Sequence, residues 1–461
     1  MRLSNVLSTT AAVLHLIGKA QAKAVFAHYM VGTVDKDHAQ QDIDNAISVG
    51  LDGFALNIGD PTESYVGATL EYLYDYASGT GFKLFVSMDV SESGAACNAG
   101  RSCCNGPNDY SSIFSQFLSN EASYLGPNGL PMISTYSSGG VEPDAWHSWK
   151  VSLDFQMYFV PMFDDTDGYY DSTSGWWSTW GNLVDGVFSW EAAWPTVADG
   201  SSTDVGSLSP DMPVINSASA SQKSYMIALS TLQYKDAVRH ARNRDCELLL
   251  TDTKQYGTNL YRPGGLNLPI RMNNILGIAS QLDFVEIITW NDGPESHYIG
   301  NVWSESSDSS VMYSSPQAAF PHAAWQPLVT SFIEAYKAGG TMAPPSGATA
   351  VGSMWYKTIL QDASCSGATP PSGWSTGTDS LTWAIVLPSG SSGMKACLTS
   401  NGSVISTVSV NPGLNFGSPT GVQAGAQMLQ LLDSAGNVVM TATGGSWSEC
   451  GRWQRKLQQL N

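Results

Sequence analysis

The run Thr289-Trp290-Asn291-Asp292-Gly293-Pro294-Glu295-Ser296-His297-Tyr298 sets two carboxylates three residues apart among aromatic and amide side chains, directly after an apolar stretch that reads as a strand. Cleavage of a glycosidic bond needs one carboxyl group to protonate the leaving oxygen and another to activate water or attack carbon. Aromatic faces beside such a pair stack on sugar rings, and Trp290 and Tyr298 are of the right type. The competing reading of the same string is an acidic surface loop.

Such a pair has to be held by a scaffold. Between about residues 24 and 340 apolar, strand-like runs alternate with helix-like ones. The strand candidates are Val25–Met30, Gly53–Asn57, Leu84–Asp89, Leu130–Thr135, Phe155–Met162, Gly186–Trp190, Tyr225–Leu229 and Phe284–Trp290. Their near-continuous apolar content fits strands buried on both faces of a parallel sheet. The segments Asp37–Val49, Val66–Ser78, Tyr110–Leu125 and Tyr234–Asn243 carry helical periodicity. The alternation predicts a (β/α)₈ TIM-like barrel over residues 23–340. An open doubly wound sheet is the alternative, but no G-x-G-x-x-G follows the first strand.

The Pro/Gly/Ser stretch Gly339–Gly347 then changes the texture. Beyond it, Trp355–Leu360, Leu381–Leu387, Met394–Thr399, Val404–Val410, Gln427–Leu432 and Val438–Thr443 are short β-like runs separated by turn signals such as Asn401-Gly402. A small β-sandwich over 345–450 is expected. The basic residues 451–461 read as a loosely held helix or a disordered tail.

In a barrel, catalytic residues stand at the strand ends. His28 follows the first strand, Asn57 and Asp60 the second, Asp89 the third, and Asp164 and Asp165 the fifth. Trp190 and Glu191 follow the sixth, and Asn291, Asp292 and Glu295 the eighth. Acids recurring at one rim point to a carboxylate cluster rather than to ordinary turns.

Composition narrows the partners. Against 40 acidic residues stand 21 basic ones, a formal net charge of −19, so nucleic acid and anionic membrane surfaces are excluded as natural partners. Arg2, the apolar core Leu7 to Ile17 and the small residues Ala20-Gln21-Ala22 read as a signal peptide over 1–22, hence export. That core is too short to span a bilayer. Seven cysteines, Cys97, Cys103, Cys104, Cys246, Cys365, Cys397 and Cys450, then predict up to three disulfides, one of them local to Cys97–Cys104, with Cys365 and Cys397 placed to staple the sandwich. Their spacing does not suit zinc, and Asp164-Asp165-Thr166-Asp167-Gly168 lacks the alternating ligands of a calcium loop. No metal or cofactor is expected, since glycoside hydrolysis needs only carboxylates and water. Asn401-Gly402-Ser403 has the form of a glycosylation acceptor.

Phe26-Ala27-His28-Tyr29-Met30-Val31-Gly32, Gly53-Phe54-Ala55-Leu56-Asn57-Ile58, Ser87-Met88-Asp89, Val160-Pro161-Met162-Phe163-Asp164-Asp165 and Trp290-Asn291-Asp292 with Glu295-Ser296-His297-Tyr298 together resemble, in order, the fungal α-1,3-glucanases, called mutanases, of glycoside hydrolase family 71. The resemblance implies hydrolysis of α-1,3-linked glucan by an inverting route on a (β/α)₈ barrel with an appended β-sandwich. It matches Asp292 and Glu295 to the family's essential Asp and Glu, and Asp89 or Asp60 to a further important Asp. The assignment carried forward makes Glu295 the acid and Asp292 the base. The reverse, or Asp89 as base with Asp292 positioning it, stays open at this point. His28 is expected to bond a glucosyl hydroxyl or to be a satisfied core group, and Trp190 and Trp290 to be stacking platforms or barrel plugs. Glu191 is expected to bind sugar or pair with an arginine, and Asn57, Asp60, Asp164, Asn291, His297 and Tyr298 complete the expected substrate contacts. A single secreted chain working on a polysaccharide is the expected state. A non-catalytic wall-binding protein and a hydrolase of another glucan are the competing functions.

Overall fold

The computed structural model describes residues 23–98, 100, 105–171, 174–195, 205–235, 260–262, 264–305, 321–357, 360–361, 378–444 and 455–459. The expected signal peptide lies outside these residues, as do Cys103, Cys104, Cys246, Cys365 and Cys450. Cys397, the expected partner of Cys365, is buried and free among the described residues.

Each of the eight expected barrel strands forms. They are β1 (Ala24–Met30), β2 (Gly53–Ile58), β3 (Lys83–Asp89), β4 (Met132–Tyr136), β5 (Tyr158–Pro161), β6 (Gly186–Ser189) and β7 (Ser224–Ser230). After the short pair β8 (Gln233–Lys235) and β9 (Leu260–Arg262) comes the eighth, β10 (Phe284–Ile288). They make one parallel sheet in the order β5-β4-β3-β2-β1-β10-β7-β6. A parallel bridge from Met162, just beyond β5, to Phe188 on β6 closes it into a barrel.

The apolar runs are continuous because both faces are covered. Val25, Phe54, Leu84, Ile133, Phe159, Ile227 and Val285 point outward against the helices, while Phe26, Phe85, Met132, Val160, Phe188 and Phe284 fill the barrel. The alternation puts His28, two residues beyond Phe26, and Asp89, four beyond Phe85, on the interior register. The helix Lys36–Val49 illustrates the outer layer. Asp35 caps its start by accepting from the His38 backbone at 2.8 Å, Gly50 ends it at φ 94°, and Ala39, Ile43, Ala46 and Val49 form its buried face. Two expectations need correcting. Gln233–Lys235, at the head of the expected helix Tyr234–Asn243, is a strand paired antiparallel with β9; the residues from 236 lie outside those described.

The β-rich unit forms two antiparallel four-stranded sheets, with strands β11 (Val351–Lys357), β12 (Thr382–Leu387), β13 (Lys395–Ser400), β14 (Ser403–Ser409), β15 (Gly413–Gly417), β16 (Gln427–Leu432), β17 (Val438–Thr443) and β18 (Arg455–Gln459). Their orders are β15-β12-β11-β18 and β14-β13-β16-β17. The second correction lies here: Arg455–Gln459, expected in a loose tail, is an edge strand paired with β11. Trp355, Ala384 and Val386 share one hydrophobic core with Trp325, Leu328 and Phe332 on the barrel side, and the Trp355 indole donates to the Gly265 carbonyl at 2.9 Å.

Candidate active site

Four carboxylates from different parts of the rim surround one phenol. Tyr136, the last residue of β4, is held well above its ordinary pKa, first by burial and then by the charges of Glu295, Asp89, Glu191 and Asp164. It therefore stays a hydroxyl donor among acids. Burial pushes Asp89, the last residue of β3, up to about 7, although the Glu92 backbone and the Asn57 side chain bond its charged form. Asp164 is likewise pushed up to about 7 by burial. Its Oδ2 accepts from the Glu191 backbone N–H at 2.9 Å and from the Tyr170 hydroxyl at 2.7 Å. Crowding of buried acids in this way keeps protons available near neutral pH.

The loop after β10 folds back on its own start. Thr289 N–H donates to the His297 carbonyl at 3.1 Å, and Ile299 N–H to the Thr289 carbonyl at 3.0 Å. Within that turn the Glu295 N–H donates to Asp292 Oδ1 at 2.9 Å. His297 is fully buried, with Nε2 lying 3.2 Å from Glu295 Oε2 and 3.9 Å from Asp292 Oδ2. Its other nitrogen, Nδ1, lies 3.1 Å from Thr289 Oγ1, which accepts the Asp292 backbone N–H at 3.0 Å. The ring is thus held at both nitrogens, by the Thr289 hydroxyl on one side and the Glu295 carboxyl group on the other. The buried Gln233, just beyond β7, donates its amide to Glu295 Oε2 at 2.5 Å. Gln233 and His297 thus both orient one oxygen of Glu295, while its side chain keeps 20% exposure. One ligand oxygen each of Asp292 and Glu295, together with the His297 nitrogen, lie within 4.8 Å of one another.

The structure brings Asp89, Asp164, Glu191, Asp292, Glu295 and His297 to this mouth, with Trp190 beneath. The Trp190 ring stands edge-on to His28 at 4.8 Å and to Tyr136 at 4.9 Å, and at 4% exposure it plugs the barrel. Asn57 joins through its bond to Asp89. Asp60 is buried in the turn after β2, accepting from the Thr62 backbone at 2.9 Å and hydroxyl at 2.6 Å. Glu191 pairs with Arg262 on β9 at 2.5 Å, the arginine alternative.

Three expected contacts turn away from the cleft. Trp290 is fully buried on the outer side of the wall, its indole donating to Asp42 at 2.9 Å. Tyr298 stacks on His322 with ring centroids 3.9 Å apart, and burial pushes that histidine down to about 3, leaving it neutral. Asn291 spends its amide on the Met30 backbone, accepting from N at 2.7 Å and donating to O at 3.0 Å. For Trp290, Asn291 and Tyr298 the loop after β10 turns the side chain into the wall. His28 instead points into the barrel, 1% exposed, with Nδ1 2.7 Å from Glu286 on β10 and Nε2 meeting no hydrogen-bond partner among the described residues. Asp165 accepts from the Ser137 and Ser138 hydroxyls just beyond β4 at 2.7 and 3.0 Å.

Sequence reasoning missed Tyr136, Gln233 and Arg262, because it placed no rim residue after the fourth or seventh strand. Extending Leu130–Thr135 by one residue would have found Tyr136, in register with Asp89 on the neighbouring strand.

The model of Glycosyl hydrolase family 71 matches residues 21–454. The glucan endo-1,3-alpha-glucosidase agn1 of Schizosaccharomyces pombe is 30% identical over 328 residues, covering 69% of this chain and 66% of that relative. A mutanase of Penicillium rubens is 28% identical over 81% of this chain and 75% of its own length. The ascus wall endo-1,3-alpha-glucanase of Schizosaccharomyces pombe is 24% identical over 89% and 90%. Among solved structures, a GH99 endo-alpha-mannosidase of Bacteroides thetaiotaomicron is similar with a TM-score of 0.46 at 12% identity, covering 68% of this chain and 98% of that one. With the family model running from before the first barrel strand to the last sheet, the chain belongs to glycosyl hydrolase family 71.

Proposed function

We propose that this protein hydrolyses α-1,3-glucosidic linkages in α-1,3-glucan, with Glu295 as proton donor and Asp292 as the base that activates water. One observation carries the reading: Asp292 and Glu295 stand on the edge of a single buried imidazole at the mouth of a closed barrel. Glu295, oriented by Gln233 and His297 and with 20% of its side chain exposed, suits delivery of a proton to a leaving oxygen. Asp89 and Asp164, pushed up to about 7, supply neighbouring carboxyls that bond sugar hydroxyls or pass protons.

The inverting route needs carboxyl groups about 6.5–9.5 Å apart. One oxygen of Asp292 and one of Glu295 lie within 4.8 Å of each other, the carboxyl groups themselves stand further apart than those nearest atoms, and rotation of the more exposed Glu295 widens the gap for water. The close approach of those oxygens motivates a second reading, retention of configuration, for which carboxyl separations of about 5–5.5 Å are usual.

The test is incubation with insoluble α-1,3-glucan, α-1,4-glucan and β-1,3-glucan, alongside Glu295→Gln. Reducing sugar from the first polymer only, lost in the variant, is expected; release from either other glucan alone would overturn the substrate assignment. The apolar, small-residue start of the chain supports secretion, and among the described residues no helix is long and apolar enough to cross a membrane. Action as a single chain outside the cell, with exposed Asn401 as a glycan acceptor, completes the proposal.

A further inference from the structure

The helix Lys36–Val49 buries one carboxylate on its otherwise apolar face. Asp42 has no exposed surface, and each of its oxygens takes two donors. Oδ1 accepts from the Trp290 indole and the Asn301 amide, both at 2.9 Å. Oδ2 accepts from the Trp303 indole at 2.9 Å and the Tyr29 hydroxyl at 3.1 Å. Three of these four donors belong to the loop that carries Asp292 and Glu295, one near its start and two near its end. A helix that only had to cover the wall would place an aliphatic residue here, because a buried acid is tolerated only when its charge is met by donors.

We propose that Asp42 is a positioning residue for the catalytic pair, clamping both ends of the Trp290–Trp303 loop through their two indoles and so setting where Asp292 and Glu295 stand. The inference rests on the assignment of that pair under the proposed function. The clamp requires a carboxylate. An indole N–H only donates, and the two indoles sit on different oxygens. An amide in place of the acid offers oxygen to one indole and an NH₂ group to the other. Tyr29 and Asn301 are able to turn and accept, but neither indole is, so one of the two indoles loses its tie whichever way the amide lies.

Asp42→Asn and the milder Trp303→Phe test this. kcat and KM are measured on short soluble α-1,3-linked gluco-oligosaccharides, and hydrogen exchange is followed in the Thr289–Trp303 segment and in strands β1 to β3. Asp42→Asn is expected to lower kcat about tenfold or more while KM stays within about threefold, as for a small misplacement of reacting groups. Exchange should rise in the loop and hold in the strands, and Trp303→Phe should follow in smaller measure, which keeps the test open if Asp42→Asn does not fold. A kcat within twofold of the parent in both soluble variants, or exchange that rises equally in loop and strands, overturns the clamp. If the parent protein leaves these oligosaccharides intact, the hydrolytic reading fails by itself, and the exchange pattern alone decides whether Asp42 holds the loop.

Discussion

His297 Nε2 lies 3.2 Å from Glu295 Oε2 inside a fully buried turn. The Thr289 hydroxyl on the other ring nitrogen fixes the orientation of the ring that faces the acid. His297→Ala removes that partner and leaves a void. We expect kcat to fall about tenfold to a hundredfold with little change in KM, and His297→Gln to recover part of it, as steady-state kinetics on soluble oligosaccharides would record. Equal activity in all three proteins would show that the imidazole only fills space.

Glu295→Gln and Asp292→Asn should each reduce turnover by about 10²–10⁴-fold, the usual contribution of a positioned acid or base. Proton NMR of the first product formed by the parent protein distinguishes the two geometries. An anomer of opposite configuration to the α-linkage supports opening of the pair on binding, and an α-anomer supports the short gap as the working distance.

The raised carboxyls make two statements about pH. Asp89 and Asp164 hold protons up to about 7 in the folded chain against about 4 in an unfolded one. The native state therefore binds more protons between those values, and stability falls as pH rises through that window, by about 1.4 kcal/mol per pH unit and group at most. Calorimetric melting points should decline from pH 4 to 7, and Asp164→Asn should flatten the decline. Activity should likewise favour mildly acidic pH and drop above about 7; a profile level from pH 4 to 9 would count against shared protons at the mouth.

Gly300 approaches the Trp290 ring so closely that an added Cβ would sit 2.2 Å from it. Gly300→Ala must displace either the indole or the loop, and we expect a loss of about 1–3 kcal/mol in chemical denaturation together with reduced turnover. Full activity and stability would mean that the loop adjusts freely.

Much of the scaffold was legible in the sequence, because strands buried on both faces leave uninterrupted apolar runs: all eight are real, although the seam is closed through Met162, just beyond β5. The strand β15 escaped because Gly413 and Gly417 bound it after Asn411-Pro412-Gly413, where turn residues mask a five-residue strand. The strand β18 escaped because its charged residues read as solvated, whereas an edge strand tolerates charge. At the site, acids at strand ends were legible by position. Which aromatic faces the cleft was not, since Trp290 and Tyr298 take their direction from partners remote in sequence, Asp42 and His322.

The Trp325 and Trp355 rings meet at 6.1 Å in a core common to the barrel and the β-rich unit. An appendage on a flexible tether can cast about for new stretches of an insoluble fibre while its partner stays put. Here any grip that the sandwich takes on a surface would be transmitted as a fixed angle to the cleft, so attack would be confined to chains lying in one orientation.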